Sequence, residues 1–136
     1  VWEGDVSGTP VCSSYLWATP RDWATIGQFA LQGGEWSGQQ LLPVDWMKTT
    51  TTVLPGQGEE VGYAAGWWAN KLPDGTLADT ALPADAYSAE GHDGQRVVVV
   101  PSADLVVVRL GFSPSVKGDA LRVSQLVHDL AALPMD

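Results

Sequence analysis

The run "QRVVVVPSADLVVVRLG" (95–111) constrains the fold more than any other stretch of the chain. Two near-continuous apolar strands, Gln95 to Val100 and Leu105 to Gly111, flank Pro101-Ser102-Ala103-Asp104, and polar residues gather at that joint. A strand with one wet face alternates apolar and polar side chains, and this pair has no such alternation. The hairpin is therefore expected to be buried on both sides, with helices as its covers. "ATPRDWATIGQFALQGG" (18–34) reads as one of them. Thr19 can cap, Pro20 suits the first helical position and Asp22 falls in the positive first turn. Trp23, Ile26, Gly27, Ala30 and Leu31 form an apolar stripe at helical spacing, and Gly33-Gly34 stops the helix. From about Asp119, the residues Val123, Leu126, Val127, Leu130 and Leu133 form a second stripe, the other cover.

Between these elements, "EWSGQQLLP" (35–43) reads as a turn or short hairpin, and Pro43-Val44-Asp45-Trp46-Met47 opens a second, shorter helix. "TTTTVLPGQGEE" (49–60) is a polar connection, "VGYAAGWWAN" (61–70) a strand, and "KLPDGTLADTALPAD" (71–85) a loop excursion punctuated by Pro and Asp-Gly. The expected class is α/β in the form of an α+β sandwich, an antiparallel sheet covered by helices. Three strands are too few for a hairpin so thoroughly apolar, so the sandwich is expected to be incomplete on this chain.

A length of 136 residues fits one domain. The net charge is −9 and the seven Lys and Arg residues are spread along the chain, so no basic stripe exists to neutralise phosphates. Nucleic acid is excluded as a partner on that ground, and no apolar run is long enough for a membrane span. Cys12 is the only cysteine, which rules out an internal disulfide, and it reads as a small packed residue. No cofactor is expected.

The candidate chemistry lies in "AEGHDGQ" (89–95). Gly91 and Gly94 bracket His92-Asp93 and let the backbone approach a ligand closely. Gln95 opens a buried strand, where its N–H is held by the sheet behind it. A fixed N–H at the mouth of a cleft suits an oxyanion hole, and one such donor is worth about 2.7–4 kcal/mol in a transition state. His92 can hydrogen-bond a substrate or acid–base machinery. A glycine-rich turn carrying a solvated histidine is the competing reading, and these residues alone do not decide between the two. As metal ligands, Glu90, His92 and Asp93 lie too close along one extended loop to converge, and the other histidine, His128, belongs to the last helix. No pair of acids stands out for glycosidase chemistry. Trp17, Trp23, Trp67 and Trp68 read as core or cleft wall.

Taken in order, "SSYLWATPRDWATIGQFALQGGEWSGQQLLP", "GYAAGWW" and "YSAEGHDGQRVVVVPSADLVVVRLG" resemble the C-terminal half of class C β-lactamase-like serine hydrolases. The nearest pattern is the branch of esterases and 6-aminohexanoate-dimer hydrolases. The resemblance implies a β-lactamase/transpeptidase-like fold and an acyl-enzyme mechanism. In that mechanism a Ser-x-x-Lys motif and a Tyr-x-Asn motif face a third motif, Lys-Thr-Gly or His-x-Gly. Carried over, His92-Asp93-Gly94 stands at the third motif, the backbone N–H of Gln95 is the oxyanion donor, and Gly91, Asp93 and Gly94 line the substrate.

The other two motifs are missing. Ser113 and Ser115 precede Lys117 at the wrong spacing, and Tyr15, Tyr63 and Tyr87 are followed two residues later by Trp17, Ala65 and Ala89. Residues 1–136 are thus expected to be the C-terminal segment of one β-lactamase-like domain. Its N-terminal half is then the partner that carries the nucleophile, a small ester or amide is the substrate, and this chain alone is inactive. The competing class is a non-catalytic β-lactamase-like module that binds peptidoglycan-like ligands, and a Ser-x-x-Lys before Val1 would discriminate the two. A third expectation is a stable two-chain particle.

Overall fold

Thr19 sets the start of α1 (Pro20–Leu31) through a reciprocal capping box. Its hydroxyl accepts the Asp22 N–H at 3.2 Å, and the Asp22 carboxylate accepts the Thr19 N–H at 2.9 Å. The Thr19 N–H, together with the Thr19 hydroxyl that donates to the same carboxylate at 2.8 Å, holds the Asp22 carboxyl below its ordinary value. The computed structural model describes residues 1–12, 16–56, 61–113 and 122–133. Gly27 and Ala30 are the buried residues of α1, whereas Ile26, expected in the stripe, is 39% exposed on its shoulder. Gly33 and Gly34 take positive φ just past the helix, as a C-terminal stop requires.

The 35–43 stretch forms the short hairpin β1 (Glu35–Trp36) and β2 (Gln39–Gln40). Ser37 and Gly38 turn it, both at positive φ. Helix α2 (Trp46–Thr50) begins three residues later than expected, because Pro43 forms a turn in which its carbonyl accepts the Trp46 N–H at 2.8 Å.

The expected strand over 61–70 is a correction. Only β3 (Trp68–Ala69) joins the main sheet, and the preceding residues fold back on it through a Tyr63↔Trp68 bridge. Gly62 and Gly66 make this reversal, each at a φ that an L side chain rarely adopts. The sheet gains a strand elsewhere: β4 (Tyr87–Gly91) pairs antiparallel with β5 (Gln95–Val100), which pairs with β6 (Leu105–Arg109). The spatial order is β3-β4-β5-β6. A single 3-10 turn, Pro101–Ala103, joins β5 to β6, and both the N–H and the hydroxyl of Ser102 donate to the Asp85 carboxylate.

The structure buries the first strand of the expected hairpin on both faces, from Val97 to Val100, whereas every residue of β6 is only half-buried because no strand covers its outer side among the described residues. Val97 and Val99 pack with Ala30 and Tyr87 beneath α1. Val98 and Val100 pack with Ala86, Val123 and Val127 beneath α3 (Val123–Ala131). The expected start of the last helix near Asp119 lies outside the described residues. In α3 the buried face is Val123, Ser124 and Val127, and two members of the expected stripe, Leu126 and Leu133, are 50% and 61% exposed. The sheet reads the helix along Ser124 and Val127, a line that skips Leu126. The fold is α+β, an antiparallel sheet between helices, and no helix among the described residues is long and apolar enough to cross a membrane.

Candidate functional site

Gly91 to Gln95 come together as one tight turn at the mouth of the β4–β5 hairpin. Gly91 and Gln95 face each other in the last rung of the ladder, and His92–Gly94 form a single 3-10 turn between them. Asp93 and Gly94 both take positive φ, 59° and 79°, which aspartate tolerates better than most residues and glycine freely. The His92 side chain is 92% exposed, and its Nε2 lies 3.4 Å from the Asp93 carboxylate, which is only 12% exposed. Gln95 closes the turn with its side chain, donating from Nε2 to the His92 carbonyl at 3.1 Å.

The direction of each peptide follows from one bond in the sheet. The Asn70 N–H donates to the Ala86 carbonyl at 2.9 Å, so Ala86 faces β3. Peptide groups alternate along a strand, which turns those of Tyr87, Ala89 and Gly91 toward β5. The Gly91 carbonyl therefore points at β5, and across the trans peptide the His92 N–H points the opposite way. That side is open among the described residues, because β3 pairs only with Tyr87 and Ser88. By the same alternation the Gln95 peptide edge faces Gly91.

The turn is fastened from behind by residues that the sequence reading did not single out. Arg109, at the end of β6, donates from Nη1 to the Gly94 carbonyl at 2.8 Å and the Gly111 carbonyl at 3.2 Å, and from Nη2 to the Ser113 hydroxyl at 2.7 Å. The Ser113 N–H donates to the Asp93 carbonyl at 3.1 Å. Arg109 stands directly opposite Arg96 across the β5–β6 pair, an unfavourable placement for two cations. Arg96 is drawn the other way, to Glu90 at 3.3 Å, and Glu90 also accepts the Ser88 hydroxyl at 3.2 Å. The available signal in the sequence was a lone cation closing an otherwise apolar strand, two residues before a glycine.

A cavity of about 400 Å³ opens on the α3 side of the sheet. Trp68, Leu82 and Val98 give it apolar walls, and Ser88, Glu90 and Arg96 close one end. Asn70 frames it structurally, donating to the carbonyls of Asp79, Leu82 and Pro83 and accepting the Asp79 N–H. Gly91 to Gln95 do not line this cavity; their turn stands on the rim of the sheet beside it. Tyr87 lies on the other face with Trp67 edge-on at 5.1 Å, and burial, with the Asp85 charge, pushes its phenol up to about 12. Cys12, expected to pack, is exposed.

The sheet, its two helical covers and the order of the elements define part of a hydrolase fold of the β-lactamase-like kind. Among solved structures, the chain is similar to a provisionally assigned 6-aminohexanoate-dimer hydrolase from Bacillus anthracis, with a TM-score of 0.68 and 26% sequence identity. The likeness covers 98% of this chain and 34% of that one, so this chain spans about a third of the other's length. No family model matches the sequence.

Proposed function

We propose that this chain is the C-terminal part of a serine hydrolase of esterase or amidase type that works through an acyl-enzyme. Its N-terminal part would carry the serine that attacks the carbonyl, with lysine and tyrosine as general base. The observation that carries the reading is the Gly91–Gln95 turn, a glycine-bracketed loop whose outgoing strand, β5, runs into four valines buried on both faces of the sheet. Such a support can hold a backbone donor still while charge develops on a substrate oxygen. His92, free of packing, would position the substrate near its leaving group, and Gly91, Asp93 and Gly94 would form the wall beside it.

The donor itself has two placements. The family pattern assigns it to the Gln95 N–H. The alternation of the ladder favours the His92 N–H, which faces the open edge of β4. Proline deletes a backbone N–H, so the two can be told apart in the full polypeptide with a chromogenic short-chain ester. Gln95→Pro suits the native φ of −75° and removes the N–H that faces Gly91 in the last rung of the ladder, so melting temperature is read beside kcat. If Gln95 is the donor, Gln95→Pro lowers kcat about 100- to 1,000-fold and Gln95→Ala leaves it nearly unchanged. If His92 is the donor, His92→Pro falls by that factor below His92→Ala, and Gln95→Pro is mild. A full polypeptide that neither hydrolyses esters nor reacts with a serine-directed acylating reagent would sink the enzymatic reading and leave the binding module.

A further inference from the structure

We infer that Arg109 is a positioning residue for the His92–Gln95 turn, acting through the peptide that carries the Gln95 N–H. A peptide group presents its carbonyl and its N–H in opposite directions, so holding the Gly94 oxygen fixes where the Gln95 N–H points. Arg109 holds that oxygen at 2.8 Å. The peptide before it is held as well, because the Asp93 carbonyl accepts the Ser113 N–H, and Ser113 is in turn held through its hydroxyl by Arg109. Two successive peptides of the turn, both following residues at positive φ or ending on one, therefore rest on a single guanidinium and the segment it organises.

The chemistry of the side chain fits this task. Only a planar fork can reach the Gly94 carbonyl and the Ser113 hydroxyl from two different nitrogens at once. No ion pair to Arg109 is found among the described residues, so its charge is spent on carbonyl and hydroxyl acceptors at the back of the turn. A cation bound to the Gly94 oxygen polarises the whole peptide and strengthens its N–H as a donor. Gly111 makes room for the fork: a Cβ there would sit 3.1 Å from Nη2.

The catalytic part of this inference rests on the proposed function, whereas the mechanical part does not, and the test separates them. Amide hydrogen exchange of the 91–95 peptide is measured in the full polypeptide, for the parent protein, Arg109→Lys and Arg109→Met, together with ester kinetics and melting temperature. The expected result is faster exchange in the turn for Arg109→Met, with exchange in β5 unchanged. Arg109→Lys should be intermediate, since one ammonium cannot span both acceptors. In parallel, kcat falls about 10- to 100-fold with KM nearly constant, the pattern of a displaced catalytic group. Unchanged exchange in the turn overturns the inference, and so does faster exchange with an unchanged kcat in an active enzyme. If the parent protein is itself inactive, the proposed function fails, and the exchange result alone upholds or overturns the positioning role.

Discussion

Tyr87 shows how much a single residue can reveal about the packing around it. Its ring lies under α1 against Trp67, and its phenol is raised from the usual 10 to about 12 by burial and the nearby Asp85 charge. The folded protein thus keeps this proton where the unfolded chain loses it. Between pH 10 and about 12, the unfolded state binds fewer protons, so stability declines as pH rises through that window. Chemical denaturation at a series of alkaline pH values should show the decline, and Tyr87→Phe should flatten it. A slope that survives the substitution would move the cause to another group. Gly27 makes a different point. A Cβ there would lie 2.5 Å from Val106 Cγ1 and 3.0 Å from Val97 Cγ1, so α1 can sit this close to the sheet only because the side chain is missing. Alanine improves helix propensity by about 1 kcal/mol. Overpacking costs about 1–3 kcal/mol. Gly27→Ala is therefore expected to lower the melting temperature, and Val106→Ala in the same chain should restore part of the loss if the clash is the cause.

Among the elements, those that specify themselves were legible in the sequence. Thr19 and Asp22 make α1 a local decision, and the valine run of β5 announces its double burial without help from the rest of the chain, while the similar run of β6 ends up half-buried at the sheet's border. Strand β4 was not readable, because Tyr-Ser-Ala-Glu-Gly has little strand preference of its own. It is a strand because β5 offers it a ladder, a tertiary cause that no local window contains. The aromatic run over 61–70 misleads in the opposite sense: its residues suit a strand, but Gly62 and Gly66 reverse the chain. In the candidate site, His92, Asp93 and Gly94 were conspicuous through their bracketing glycines, and the structure brings them into one turn. Arg109 was not, since an arginine ending a strand ordinarily reads as a solvated terminus. Its contacts depend on two loops meeting, 15 positions apart in the case of Gly94.

At the scale of the whole molecule, the sheet ends on an uncovered border. By the alternation set from β4, Leu105, Val107 and Arg109 turn their peptides toward β5, and Val106 and Val108 present theirs outward. No strand pairs with that side among the described residues. Such an edge, apolar and without an outward-facing charge or proline, is a template for another strand. The 136-residue chain on its own is expected to self-associate. Val108→Pro, which removes an N–H not used toward β5, should shift it toward monomer in analytical ultracentrifugation. Monomer in both would mean that the border is already shielded. The turn between β4 and β5 has unlike strands at its two ends. The strand leaving the turn passes into the four valines at the centre of the sheet, while the strand entering it reaches Gly91 with an unaccompanied flank. The two roots of the turn are thus unequal: the one at Gln95 is seated in the buried strand and the one at Gly91 is held from a single side, like a gate with one sound post.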